Sequence, residues 1–284
     1  MEIGIGLPST IRGVDPRMIL RWAERAEERG FSSIAVLDRV AYGNIEPFVT
    51  LSAAAAVTER VRLVTTVLLA PLRTNHTLFA KQAASLDRLA GGRLVLGLGV
   101  GARADDYEVG DVDFHRRGAL LDALIERAKA VWRGELDDVG PEPATPGGPR
   151  LVFGGQTPAA FRRAARHGSG WVASGRMVEL FGEGVGAVRA AWAAEGRADS
   201  PQLLAIGYFA LGTLGPAGAE SYLGDYYAFA GPGATQVVAS ALTDADGVAG
   251  RIAALEAAGC EELILHPCIA DLAQVDLLAD AAGL

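Results

Sequence analysis

Residues 62–101 read RLVTTVLLAPLRTNHTLFAKQAASLDRLAGGRLVLGLGVG. A β-branched apolar run opens the segment, a stretch with helical spacing follows, and a second apolar run, LVLGLG, closes it. Neither run alternates with polar residues, which is the pattern of strands covered on both faces. A strand, a helix and a second strand in that order make a βαβ unit with parallel strands. The alternation continues in both directions. Strand candidates are Glu2–Leu7, Ser33–Leu37, Val61–Leu68, Arg93–Leu98, Arg150–Phe153, Gly170–Ala173, Leu203–Leu211 and Glu262–His266. Amphipathic helices lie between them; one carries Ile19, Trp22, Ala23 and Ala26 on one face, another Leu120, Leu121, Leu124, Ala128 and Val131. Eight such units predict an α/β fold of the (βα)8 TIM-barrel type, with any active site at the C-terminal ends of the strands.

The 284 residues, half of them hydrophobic, suit one barrel domain over 1–284. Two stretches break the regularity. Asp137–Pro149, rich in Pro and Gly, enters the fifth strand from the N-terminal side and reads as a connector. Ala217–Ala234 contains SYLGDYYAFAG and follows the seventh strand, where either a lid over the mouth or an ordinary extra helix fits. A net charge of −8 disfavours nucleic acid and anionic membranes and points to a small-molecule partner. Cys260 and Cys268 belong to no metal-ligand or redox motif and read as reduced thiols. The first residues, Met1–Pro8, lack the basic start and apolar core of a signal peptide, and no long apolar span occurs, so a cytoplasmic protein is expected.

Four places can carry chemistry. Gly97–Ala102, GLGVGA, fits a dinucleotide-binding turn, a glycine-lined strand end that admits a flat ring, or packing alone; the polar, irregular stretch expected at Arg103–Asp113 argues against the first. Gly154-Gly155-Gln156-Thr157 ends the fifth strand. Thr157 can cap the next helix with Pro158 at its first position, giving either a phosphate cradle or a well-capped turn. Asp38 ends the second strand, a functional position in this fold, with an N-cap or an ion pair to Arg39 as the plainer reading. His76 and His266 fall near strand ends, and none of the four histidines has metal-ligand spacing, so no metal site is expected. Serine-hydrolase, zincin and P-loop signatures are absent.

Taken in order, IGIGLP, WAERAEERGFSSIAVLD, the 65–101 segment with its Ala-Ser-Leu-Asp, Gly-Gly-Arg and GLGxG elements, DFHRRGALLDALIERAKAVW, PRLVFGGQTPAAFRRAARHGSGWV and AALEAAGCEELILHP resemble the luciferase-like monooxygenase superfamily over the whole chain. The resemblance implies an oxidoreductase using coenzyme F-420 or FMN, and a homodimer. It implies a cis peptide at Thr66-Val67 behind the cofactor ring. It also implies Gly99, Val100 and Gly101 along the ribityl and phosphate path, and Gly154, Gly155, Gln156 and Thr157 around the phosphate. Luciferases proper carry an arginine where this chain has Val100, which favours the F-420 branch. That branch often follows its second-strand acid with histidine, but here Asp38 precedes Arg39. The proton is therefore expected from Asp38 or a mouth histidine, with His76 in reserve. The acidic tail of F-420 calls for cations, and Arg12, Arg39, Arg73, Arg103 and Arg176 are expected near the mouth. The alternatives are an FMN-dependent monooxygenase and a barrel that binds a flavin without turnover.

Overall fold

Nine strands run through the computed structural model, which describes residues 1–284: β1 (Glu2–Gly6), β2 (Ser33–Val36), β3 (Arg62–Thr65), β4 (Leu68–Leu69), β5 (Leu94–Gly99), β6 (Arg150–Gly154), β7 (Gly170–Ser174), β8 (Gln202–Phe209) and β9 (Glu262–Pro267). All pairings are parallel, and the sheet closes where β3 meets β5. Eight staves result, because β3 and β4 are two halves of one stave interrupted at Thr66 and Val67. The expected (βα)8 barrel is therefore present.

Period-two alternation decides which side chains fill the barrel. Ala35, Val64, Val95, Val152, Val172, Leu204 and Ile264 form one interior layer, a residue from each of seven staves. Gly4 supplies the eighth position; a Cβ there would lie 2.2 Å from Ser33 Oγ and 2.9 Å from Ile264 Cγ1. Below this layer the buried Glu262 accepts from Ser32 Oγ at 2.7 Å and Ser33 Oγ at 2.6 Å, and pairs with Arg62 at 3.1 Å. The outward-facing residues meet the helices in a larger core that contains Trp22, Leu51, Phe79, Phe153, Trp171 and Phe181. No helix is long and apolar enough to cross a membrane.

Helix starts follow local chemistry. Asp15, Asn75, Thr157 and Asp244 each accept an N–H from the first turn of the helix they precede. One reading needs correction: Arg103–Asp113 is not irregular throughout but holds a helix at Ala104–Val109. Six residues cannot hold a helix by propensity, and here burial of Asp106 and Tyr107 does so instead.

The two glycines of LVLGLG have a packing cause. A Cβ on Gly97 would lie 1.9 Å from the Thr65 carbonyl oxygen, and one on Gly99 2.6 Å from Val67 Cγ2. Gly97→Ala is therefore expected to cost about 3 kcal/mol, the upper end for overpacking, and to lower Tm by roughly 6–12 °C in a thermal melt. An unchanged Tm would mean that β3 and β5 can separate there without loss.

Candidate active site at the barrel mouth

The stave that breaks builds the floor of the mouth. The peptide between Thr66 and Val67 is cis. Thr66 N donates to Val36 O at 2.9 Å, and Thr65 Oγ1 donates to Gly97 O at 2.8 Å, so both neighbouring staves anchor the segment. Val67 leans over the neighbouring staves; its methyl groups lie 2.6 Å from a Cβ built on Gly99 and 3.0 Å from one built on Gly154. Gly97, Gly99 and Gly154 thus leave the space that Val67 fills.

His266 is the histidine that reaches this floor. Alternation along ELILHP turns Glu262, Ile264 and His266 to one face, and that pattern was the available signal for it. It is buried, and Thr66 Oγ1 lies 2.8 Å from its Nε2. The Thr66 hydroxyl donates to Val36 O at 3.2 Å, so its oxygen accepts, and Nε2 carries the imidazole proton. Nδ1 packs against β1, where a Cβ on Gly6 would stand 2.2 Å away. Burial pushes the imidazole down to about 3, and it is neutral at physiological pH.

Asp38 is buried and ties down the chain just beyond Val67. Its Oδ2 accepts from Leu69 N at 2.8 Å and from Arg73 Nη2 at 3.0 Å. Burial pushes the carboxyl above its ordinary range, while the Arg73 guanidinium and the Leu69 N–H pull it back. The ion pair considered between Asp38 and Arg39 does not form. Arg39 turns instead to Asp106, Nε to Oδ2 at 2.7 Å, and the same carboxylate accepts from Val40 N and Ala41 N. His76 opens the helix His76–Leu89 and lies in a shallow cleft with Thr74, Asn75, Thr77 and Arg127. No hydrogen bond joins it to Asp38, Thr66 or His266.

Across the mouth, Gly154 and Gly155 lead into the helix Pro158–His167. Thr157 Oγ1 accepts from Ala160 N at 3.2 Å, Pro158 occupies the first turn, and Gly155, at φ 120°, passes its carbonyl to Trp171 Nε1 at 2.7 Å. Gly155, Gln156 and Thr157 are exposed at this end. Between them and Asp38 run Gly99, Val100 and Gly101. The Val100 carbonyl accepts from Tyr107 Oη, and Gly101, at φ 68°, stands over Leu69, whose Cδ2 would be 2.7 Å from a Cβ. The strand ends of this face thus carry Asp38, Thr66, Val67, Gly99, Val100, Gly101, Gly154 and Gly155 on neighbouring staves, while His76 lies in a cleft of its own.

The stretch after β8 packs on the loops at this end with helices at Gly215–Tyr226 and Pro232–Ala239, somewhat longer than expected from sequence. Tyr222 Oη meets Thr10 Oγ1 at 2.6 Å, Tyr227 Oη meets Tyr208 Oη at 2.7 Å, and Tyr226 packs edge-on against Tyr42. Asp225 accepts from Arg12 Nε at 2.9 Å and from Tyr42 Oη at 2.5 Å. Of the five arginines expected to meet an acidic tail, four have a carboxylate partner: Arg12 with Asp225, Arg39 with Asp106, Arg73 with Asp38 and Arg103 with Asp105. Arg176 alone is in no ion pair.

A closed barrel of eight parallel staves with glycine-rich strand ends is an architecture found among flavin- and deazaflavin-dependent oxidoreductases. The chain belongs to the luciferase-like monooxygenase family, whose family model matches residues 1–275. It is 32% identical over 237 residues to an uncharacterised protein of Mycobacterium bovis, covering 72% of this chain and 83% of that one. It is 30% identical over 205 residues to an F-420-dependent glucose-6-phosphate dehydrogenase of Kribbella flavida, covering 64% of this chain and 61% of that enzyme. Among solved structures, an F-420-dependent secondary alcohol dehydrogenase in complex with an F-420–acetone adduct shares the fold, with a TM-score of 0.79 at 18% identity over 99% of each chain.

The buried imidazole makes a pH prediction. Its pKa is depressed from 6.5 in the unfolded chain to about 3 in the folded one. The unfolded state therefore binds the extra proton between these values, and stability is lost as pH falls through that window, by up to about 1.4 kcal/mol per pH unit. Denaturant unfolding from pH 7 to pH 4 should show a shallower decline for His266→Gln than for the wild type. Parallel profiles would mean that the imidazole titrates normally.

Proposed function

We propose that the protein is an F-420-dependent oxidoreductase that moves a hydride to or from a small organic substrate at the barrel mouth. The observation that carries this reading is Val67, standing on a bed of glycines with the chain on both sides pinned, by Thr66 to His266 and by Leu69 to Asp38. Such a floor presents a rigid apolar surface for one face of a flat ring. The residues fit the group in two further ways. Gly155, Gln156 and Thr157 lie exposed beside Gly154 at a helix N-terminus, a favourable place for a phosphate. Arg39 Nη1 and Ser9 Oγ are buried without hydrogen-bond partners, which leaves donors for a polar ligand.

F-420, when bound, supplies a hydride at a ring carbon. Thr66 and Val67 would support the ring, and Gly99, Val100 and Gly101 would line the path towards Gly154–Thr157. We assign the proton to Asp38: burial raises its pKa, and Oδ1 makes no hydrogen bond. His266 holds its proton on Nε2 against Thr66 and positions the bulge. Val100, in place of the arginine of luciferases proper, and the F-420-dependent relative favour F-420 over FMN.

Parallel fluorescence titrations with F-420 and FMN test this reading. F-420 should bind the wild type, Gly155→Val should lose at least tenfold in affinity, and Asp38→Ala should lose turnover more than affinity. Binding of FMN alone would replace hydride transfer by oxygen activation, and binding of neither would leave a non-catalytic barrel.

We further propose that Gly215–Ala239 acts as a lid, latched by Asp225 on Arg12 and Tyr42. Asp225→Ala should raise amide hydrogen exchange within 215–239 several-fold and leave β1–β9 unchanged. Equal exchange in the two proteins would make the segment a fixed part of the wall.

A further inference from the structure

Arg176 and Arg251 have no carboxylate partner, unlike Arg12, Arg39, Arg73 and Arg103. Arg251 donates Nη1 to the carbonyls of Gly175 at 2.5 Å and Arg176 at 3.3 Å, and its remaining N–H groups are unengaged. The Arg176 guanidinium makes no hydrogen bond at all. Together with Ser174 and Ser240 they line a cavity of about 210 Å³ between the ends of β7, β8 and β9 and the helix Pro232–Ala239. Its opposite wall is apolar, with Ile206, Val237, Leu242 and Leu265. Arg176, Ser240 and Arg251 also line a wider surface cleft beside Met177 and Gln236, so the cavity opens to solvent past its cationic end.

We propose that this cavity binds a small organic acid, with its carboxylate on Arg176 and Arg251 and its apolar body against Ile206, Val237 and Leu242. A guanidinium without a counter-ion matches a carboxylate in charge and hydrogen-bond geometry. The volume suits a ring plus an acid group, since an apolar cavity of about 150 Å³ admits benzene. A glutamyl tail could bring the same carboxylate chemistry, but it is polar along its length and would leave the apolar wall unmatched.

The inner wall places this ligand beside the proposed reaction centre. Tyr208 lines the cavity, and its ring centroid is 6.1 Å from that of His266, which holds Thr66. One wall residue, Tyr208, thus stands between a bound acid and the imidazole that holds the floor of the mouth. Naming it as the substrate rests on the hydride-transfer reading above; the binding itself does not.

Calorimetric titration of the full-length protein, without cofactor, with benzoate, benzyl alcohol and γ-glutamylglutamate tests the site. Benzoate should bind at least tenfold more tightly than benzyl alcohol, its neutral counterpart of similar size. Arg176→Gln should weaken benzoate at least tenfold while leaving Tm and the affinity for benzyl alcohol unchanged. Arg251→Gln should act in the same direction, with some loss of Tm because its carbonyl contacts go as well. Absence of benzoate binding, equal binding of benzoate and benzyl alcohol, or wild-type affinity in Arg176→Gln would overturn the proposal. Tighter binding of the dipeptide would give the arginines to a cofactor tail and overturn it too. Benzoate binding in a protein that takes up neither F-420 nor FMN would uphold the site and remove only its link to hydride transfer.

Discussion

Everything at the mouth depends on Val67 being held over the glycines of β5 and β6. A stave that stayed regular through Thr66 and Val67 would pair continuously with β2 and β5 and leave the mouth floored by ordinary β side chains. Instead the stave breaks into β3 and β4, and each neighbour compensates. β5 and β6 give up side chains at Gly97, Gly99 and Gly154, β9 supplies His266 to Thr66, and the end of β2 supplies Asp38 to Leu69. Interiors are close-packed, so an inward valine is compatible only with missing neighbours. Glycines that look in sequence like a phosphate-binding turn are, in their first role, vacancies for one side chain.

Charge at this end is organised by pairing. The protein is acidic overall, yet its mouth is rich in arginine, and most of these cations face carboxylates brought from other loops. The Arg39–Asp106 pair is nearly sealed, with side-chain exposures of 4% and 1%. Desolvation makes such a pair weak support for stability. Its main effect is on the backbone, because the same carboxylate collects Val40 N and Ala41 N and so shapes the loop after β2. Arg176 and Arg251 acquire their meaning against this background.

Legibility differed by kind of residue. The cap at Thr157 formed as its local sequence requires, because it depends on a few consecutive residues, whereas the cis peptide stands where the family resemblance, and not the local sequence, implied it. Asp38 was recognisable as a strand-end carboxylate, but its partner was not; Arg73 lies thirty-five positions on and reaches it only because the bulge returns the chain. His76 and His266 looked alike in sequence, each beside a strand end. The inward phase of β9 separates them. The helix Ala104–Val109 was missed because its stability comes from burying Asp106 and Tyr107, a tertiary effect with no periodic trace in six residues.

The sequence by itself determined the barrel, the family and the stave ends at which a ring and a phosphate are expected, since apolar periodicity and glycine placement act locally. Only the tertiary structure decided which arginines are neutralised, which histidine reaches the floor and where a cavity remains beside the two unpaired guanidiniums. The reason is physical: burial, ion pairing and empty volume depend on distances between segments far apart in the chain, and closure of the barrel sets those distances.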